Sequence, residues 1–237
     1  MIPESFCEEI QQILGEALVS VVLYGSTTSG KRNEKYSDCN LMVVCRKLGL
    51  EELDAMRPLN EKWARFGNPP PLLFTWARLK KSSDVFPIEL LEVKERNLIL
   101  FGEDVMKLLP ISHANLRFQL EQELKGKLIQ LRERCLMVDG SEAEVTELMT
   151  ATLSTFQILI RAALRFFEVS MPYRKRDAVR RFASHVPYSL SALYEIRDLR
   201  GGKFERELVD VPSLFHRYLT AVEEMADLIH DMGHRRV

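Results

Sequence analysis

The pattern of hydrophobic and polar residues changes near the middle of the chain. Before residue 110, short apolar runs alternate with stretches of helical spacing. They predict helices at 8–18 and 49–67, and strands at 20–25, 37–45, 71–79 and 87–93. Strands that alternate with helices in this order indicate an α/β or α+β layer with a mixed sheet. Pro58 is expected to kink or restart the second helix.

Hydrophobic residues follow helical spacing almost everywhere after residue 110. Leucines recur every four residues over 116–128, which marks one face of a helix. Gly140 and a capping box that begins at Ser141 then predict a break before a second helix at 145–167. Because this break is short, we expect the two helices to form an antiparallel hairpin.

Shorter helical patterns complete the second half of the chain. They lie at 176–186, 188–199 and 212–231. The sequence therefore predicts two domains, an α/β domain over 1–109 and an all-α helical bundle over 110–237.

The composition excludes several classes of protein. Basic residues number 33 and acidic residues 34, so the overall charge does not indicate nucleic acid or an anionic membrane as a partner. The four cysteines show no CxxC or CxxxC spacing, which argues against a zinc site. The N-terminus lacks signal-peptide features, and no apolar run approaches the ~20 residues that span a bilayer. We expect a reduced, cytoplasmic protein that does not enter the membrane.

A glycine-rich loop follows the first predicted strand. Gly25 and Ser26 place a flexible backbone amide and a hydroxyl at the end of that strand. The free amides of such a loop suit a phosphate group. Gly30, Lys31 and Arg32 add a second flexible position and positive charge. The same residues are also compatible with an ordinary turn between two strands.

Two residues of the next predicted strand, Asp38 and Asn40, are candidate metal ligands. On a strand they project to one face, whereas Cys39 projects to the other. Oxygen ligands beside a phosphate loop are the usual way to hold Mg²⁺ with a triphosphate. A third oxygen is expected from Glu89, because a carboxylate within an apolar strand is costly unless it is paired or metal-bound. Glu92 is more easily explained as a solvated charge.

The loop and strand together resemble a known signature. "GSTTSGKRNEKYSDCNLMVV" is similar to the Gly-Ser turn and Ser-Asp-x-Asp-Leu strand of the DNA polymerase beta-like nucleotidyltransferase superfamily. "PIELLEV" followed by "LILFGED" resembles the third-carboxylate strand of the aminoglycoside adenylyltransferases, which also carry a C-terminal helical domain. Matching positions in the first motif are Gly25, Ser26, Gly30, Ser37, Asp38 and Leu41.

The resemblance implies nucleotidyl transfer from a nucleoside triphosphate to a hydroxyl acceptor on a small molecule, RNA or protein. Gly25 and Ser26 would hold the β and γ phosphates between the two domains. Asp38 and Glu89 would hold Mg²⁺ or Mn²⁺, and Glu89 would also act as the general base. The chain departs from the family at Asn40, because the family has there an aspartate that bridges two metal ions. A homo-oligomer is also compatible with the sequence.

Two alternatives remain open at this point. The asparagine is compatible with a catalytically impaired nucleotide sensor or interaction module. The spacing of Arg180 and His185 matches the Arg-x4-His pattern of helical RNase toxins that partner with minimal nucleotidyltransferases, which suggests a toxin–antitoxin-like fusion acting on RNA. The basic segment 173–181, with Arg165 upstream, is either a solvated helix face or an electropositive wall for an anionic substrate.

Overall fold

The computed structural model describes residues 1–25, 39–168, 170–172, 174–201 and 209–234. The chain divides into two compact units, Met1–Ser112 and His113–Val237. The first unit contains a sheet and the second is helical, so the predicted order of an α/β layer followed by helices is confirmed.

The first unit is a four-stranded mixed sheet with helices. Its strand order is β3-β2-β1-β4, with β1 antiparallel to both neighbours and β2 parallel to β3. The elements are α1 (Pro3–Leu14), β1 (Leu18–Tyr24), β2 (Asn40–Cys45), α2 (Leu50–Ala64), β3 (Leu72–Thr75), α3 (Trp76–Ser82), α4 (Pro87–Glu95) and β4 (Asn97–Gly102).

Both helices predicted in this unit are present, with shifted ends. α1 occupies Pro3–Leu14 rather than 8–18, since a proline favours the first turn of a helix and Gly15, with φ +49°, ends it. α2 continues through Pro58.

The sheet separates two hydrophobic cores. On one face, Leu41 and Val43 of β2 pack with Trp63 of α2 and with residues of α1. On the opposite face, Met42 and Val44 pack with residues of α3 and α4. Because successive side chains of a strand point to opposite faces, a run of apolar residues in β2 serves both cores.

Two predicted strands are wrong in type or extent. Residues 87–93 form α4, and the strand predicted over 71–79 ends after four residues, where α3 begins. Pro87 lies in the first turn of α4, where its missing N–H has no helical partner to lose, and Leu90 and Val93 are buried at a helical spacing. A short apolar run does not by itself distinguish a strand from a buried helix. The strand beside β1 is instead β4.

The regular elements described in the second unit are all helices. Its elements are α5 (His113–Met137), α6 (Glu142–Leu164), α7 (Lys175–Ala183), α8 (Ser191–Arg200) and α9 (Val211–His234). The other four helices all contact α6. Phe156 of α6 meets Tyr218 of α9 edge to face, with ring centroids 5.7 Å apart. Within the described part of the chain, no helix combines the length and the apolarity that crossing a bilayer requires.

The predicted hairpin of α5 and α6 is confirmed. The two helices pack on each other, and the turn includes Gly140 with φ +84°. Ser141 caps α6, since its hydroxyl oxygen accepts from the Glu144 N–H at 3.3 Å. The other half of the capping box differs, because the Glu144 carboxylate accepts from the Asp139 N–H at 2.8 Å.

Glu121 of α5 is the centre of a charged cluster between α5 and α9. Its carboxylate accepts from Lys125 at 2.7 Å and from Arg117 at 2.5 Å, and it lies 2.8 Å from His230 Nδ1. Hydrogen bonds from Lys125, then His230 and Arg117, lower the pKa of Glu121 from 4.5 to about 2, and burial opposes them.

Acid should therefore destabilise the second unit through Glu121. A carboxylate with a depressed folded-state pKa stabilises the fold above its unfolded pKa of 4.5, and this contribution disappears as the pH falls toward about 2. We expect Glu121→Gln to remove about 1 kcal/mol from the difference in unfolding free energy between about pH 6 and about pH 3. Urea unfolding followed by circular dichroism measures this difference. Glu133→Gln, an exposed carboxylate of the same helix, is the control and should leave the difference unchanged.

Candidate functional site

β1 ends at a glycine with a backbone conformation that other residues rarely adopt. Gly25 has φ +89°. Its N–H donates to the carbonyl oxygen of Arg96, at the end of α4, at 3.2 Å. This amide therefore serves the fold itself, and a phosphate bound at the loop would rely on the amides that follow Gly25.

Residues 26–38 lie outside the described residues. This segment holds most of the predicted loop site: Ser26, Gly30, Lys31, Arg32 and Asp38. Their roles remain predictions. The described part of the site consists of the two strands that enter and leave this loop.

Asn40 lies directly at the mouth of the loop. It is the first residue of β2, it is half-buried, and it pairs with Tyr24 of β1. A Cβ atom added to Gly25 would lie 3.3 Å from Asn40 Nδ2, so the two residues are neighbours. The structure thus brings together the ends of the predicted Gly-Ser turn and the position of the missing aspartate.

Cys39 faces away from this site, as predicted. Its side chain is 8% exposed and belongs to the core formed with α1 and α2. Its N–H donates to Asn68 Oδ1 at 3.0 Å, which fixes the backbone where β2 begins. Asn40 therefore shares a face with Met42, and period-two alternation predicts the same face for Asp38.

Glu89 is not on a strand, contrary to the prediction. It lies exposed in the first turn of α4. Gly25 is instead contacted by Arg96, the residue that follows α4. Arg96 comes seven positions after Glu89, and seven residues span about 10 Å along a helix at 1.5 Å per residue. Glu92, half-buried, lies one turn nearer to Arg96. On a strand Glu92 is most simply a solvated charge, whereas on a helix its spacing places it beside Glu89.

The described strands do not supply an acidic ligand. Among the residues of β1, β2, β3 and β4 there is no aspartate or glutamate. On the face shared with Asn40, the neighbouring strand β3 offers Leu72 and Phe74. Across the described ranges, no group of three His, Cys, Asp or Glu residues is arranged to hold a metal.

The basic segment of the second unit separates into a buried part and an exposed part. Arg165, directly after α6, is 7% exposed and donates to the Arg161 carbonyl oxygen at 3.5 Å. On α7, Arg176 and Arg180 are exposed, and Arg181 forms an ion pair with Glu168. Arg176 and Arg180 therefore form a solvated helix face, and the electropositive wall for an anionic substrate stays a prediction.

His185 is held by residues that the sequence did not indicate. Its Nε2 lies 2.9 Å from Glu168 Oε1, and its ring stacks on Phe167 at a centroid distance of 5.1 Å. The arginine that shares this carboxylate is Arg181 rather than Arg180. Of the Arg-x4-His pair, His185 therefore belongs to a cluster around Glu168 whose arginine is Arg181.

Comparison with known proteins gives structural matches only. No family model and no curated protein matches the chain. Spectinomycin adenyltransferase AAD(9) from Enterococcus faecialis, in a structure with ATP and spectinomycin, is similar with 15% identity and a TM-score of 0.42 over 94% of this chain and 98% of that one. At such TM-scores the likeness does not by itself assign an activity.

Two toxin–antitoxin structures are also similar. One contains AMP-PNP and matches with 17% identity and a TM-score of 0.30, over 57% of this chain and 96% of that one. The other is a tri-AMPylated Shewanella oneidensis HEPN toxin in complex with MNT antitoxin, with 16% identity and a TM-score of 0.29, over 57% and 92%.

Proposed function

We propose that this protein binds a nucleoside triphosphate with one Mg²⁺ or Mn²⁺ ion at the loop between β1 and β2. We further propose that nucleotide binding, rather than rapid nucleotidyl transfer, is its activity. The observation that supports both parts is the place of Asn40. A neutral amide lies beside Gly25, where the motif's family has a carboxylate.

The charge at this site decides how many cations it holds. Asn40 offers one neutral carbonyl oxygen, which does not bridge two cations as a carboxylate does. Asp38 and Asn40 together would hold one Mg²⁺, and the triphosphate oxygens would complete its coordination. The bound ion would neutralise phosphate charge.

The loop supplies the phosphate contacts in this proposal. Since the Gly25 amide donates to Arg96, the amides from Ser26 onward would bind the phosphates. Lys31 and Arg32 would add positive charge.

Nucleotidyl transfer to a hydroxyl acceptor is the second candidate function. It is favoured by Asp38, in the position of the first ligand of the family motif. It is also favoured by Glu92, a half-buried carboxylate in the last turn of α4. This is the end of α4 at which the Arg96 carbonyl oxygen accepts from the Gly25 N–H. Such a transfer joins the acceptor oxygen to the α-phosphorus and passes the hydroxyl proton to a base, for which Glu92 is the candidate. Pyrophosphate leaves with the electrons of the broken bond. Pyrophosphate release from labelled nucleotide in the presence of an acceptor would establish this function in place of binding alone.

ATP with Mg²⁺ should raise the unfolding temperature of the wild-type protein, because a ligand that binds only the folded state stabilises it. Asp38→Ala should weaken binding about tenfold or more and remove its Mg²⁺ dependence, since it deletes the one carboxylate of the motif. Ser26→Ala should weaken it about threefold, as expected for one lost hydrogen bond to a charged group.

Thermal unfolding and isothermal titration, each with and without Mg²⁺, measure these effects. Asp84→Ala is the matched control, because Asp84 is an exposed aspartate of the same unit between α3 and α4. Its binding should equal that of the wild type. Identical Mg²⁺-dependent binding by Asp38→Ala would show that the loop is only a turn.

A further inference from the structure

A cavity lies between α5 and α6, within the helical hairpin of the second unit. Its volume is about 100 Å³. That is the liquid volume of about three water molecules, so it accommodates one small ion or one functional group of a larger ligand. The residues that line it are Lys127, Gln130, Leu131, Arg134, Ala151, Thr152, Thr155 and Phe156. Leu131 and Phe156 are each 1% exposed and form an apolar floor.

The lining of this cavity carries positive charge and no negative charge. Lys127 and Arg134 are its charged residues, and none of the lining residues is an aspartate or a glutamate. Across the described ranges, no carboxylate forms an ion pair with Lys127 or with Arg134. Basic and acidic residues are nearly balanced in the whole chain, at 33 and 34. The excess of positive charge is therefore a local property of the cavity.

The two cations approach the cavity from opposite ends. Lys127 and Arg134 are two turns apart on α5, and Gln130 lies between them. The ammonium of Lys127 extends toward Gln130 and donates to its Oε1 at 3.2 Å. Side chains of a helix lean toward its N-terminus, so the guanidinium of Arg134 leans toward Gln130 from the other end. Both charges therefore border the same small volume.

The α6 side of the cavity offers a hydroxyl that the fold does not use. Thr152 Oγ1 donates to the Leu148 carbonyl oxygen at 2.9 Å and lies 3.1 Å from the Tyr218 hydroxyl. Thr155 is half-buried, and its hydroxyl forms no hydrogen bond within the part of the chain that the structure describes. Ala151, with its small side chain, leaves room beside this hydroxyl.

We propose that this cavity binds a phosphate dianion, either inorganic phosphate or the phosphate group of a small monoester. Its polar lining provides the Lys127 ammonium, Gln130 Nε2, the Arg134 guanidinium and the Thr155 hydroxyl, all of them donors. A tetrahedral phosphate presents oxygens in several directions, and its two charges match the two cations. A carboxylate has one charge and two oxygens in one plane, so it would leave donors unmatched. The apolar floor lowers the local dielectric constant and strengthens these contacts.

Isothermal titration calorimetry of the full-length chain with inorganic phosphate tests this proposal. The titration is done at about pH 8, where phosphate is a dianion, and NaCl keeps the ionic strength constant because salt screens exposed charges. We expect saturable binding of one phosphate per chain. Glycerol 3-phosphate, a monoester, should bind with similar affinity, because its carbon chain extends into solvent. Dimethyl phosphate carries only one charge and should bind about tenfold more weakly.

Three substitutions test the charge, the hydroxyl and the cavity separately. Arg134→Gln should raise the Kd of phosphate about tenfold, and Thr155→Val, which nearly keeps the shape of the side chain, about fivefold. Ala151→Met fills the cavity without changing the charge and should abolish binding. Arg132→Gln is the matched control, because it removes the same charge from the same helix, but Arg132 is paired with Glu223 at 2.6 Å. Its Kd should equal that of the wild type. Circular dichroism shows whether each variant is folded.

Several results would overturn the proposal. They are the absence of saturable phosphate binding, equal losses of affinity in Arg132→Gln and Arg134→Gln, and unchanged binding by folded Ala151→Met. Acetate that binds as tightly as phosphate would also contradict a site for a tetrahedral dianion. Asp38→Ala should bind phosphate like the wild type, so this proposal and the proposed nucleotide site can fail independently. Loss of phosphate binding in Asp38→Ala would assign the phosphate to the loop between β1 and β2 instead of this cavity.

Discussion

Gly102→Ala is expected to lower the free energy of unfolding of the first unit by about 3–5 kcal/mol, among the largest effects of a single substitution. Gly102 has φ +76°, and a Cβ atom there would lie 2.0 Å from the carbonyl oxygen of Val19. That oxygen belongs to the backbone of β1, which pairs with β4, so it cannot rotate away as a side chain would. Relief of this clash requires the two strands to separate at their ends.

Urea unfolding followed by tryptophan fluorescence measures this decrease in the free energy of unfolding. Both tryptophans, Trp63 and Trp76, lie in the first unit. Gly67→Ala is the matched control. Gly67 has φ +79°, but a Cβ atom there meets nothing within 4 Å, so the substitution adds only backbone strain, about 1 kcal/mol. Equal losses in the two variants would contradict the clash.

Asn40→Asp is expected to tighten Mg²⁺ binding at least tenfold and to destabilise the protein when the metal is absent. Asparagine and aspartate are nearly the same shape, so the variant should fold. The new charge would lie on the face predicted for Asp38, and two like charges in a partly buried site repel by more than the ~1.4 kcal/mol that corresponds to tenfold. This repulsion raises one carboxylate pKa, and a bound cation reverses the effect.

Three measurements on Asn40→Asp separate the possible roles of this position. Titration with Mg²⁺ or Mn²⁺ in the presence of ATP gives the metal affinity, and thermal unfolding gives the metal-free stability. Pyrophosphate release shows whether the restored carboxylate restores transfer. Asn40→Ala, which removes the amide without adding charge, is the control and should not gain metal affinity. Vigorous turnover by the wild-type protein would contradict a binding role, and unchanged metal affinity and metal-free stability in Asn40→Asp would show that residue 40 does not face the metal.

The sequence predicted the position of Asn40 well because one rule decides it. Alternation along a strand predicts opposite faces for residues 39 and 40, and the buried side chain of Cys39 does lie on the face opposite to that of Met42 and Asn40. The same reasoning failed for Glu89, because "PIELLEV" is a short apolar run that fits both a strand and a buried helix. The conformational preferences of the individual residues do not decide between the strand and the helix. Packing of Leu90 and Val93 against the sheet favours the helix, and Glu89 is therefore exposed in its first turn.

The sequence by itself determined the order of an α/β layer and a helical unit, the α5–α6 hairpin, and the motif from Gly25 to Leu41. These features depend on periodicity and on residues close together in the chain. Only the tertiary structure decided which segment pairs with β1 and that the Gly25 amide donates to the Arg96 carbonyl oxygen. Each of these depends on contacts between segments far apart in sequence. Such contacts are selected by the total area buried and the hydrogen bonds satisfied, which no local pattern records.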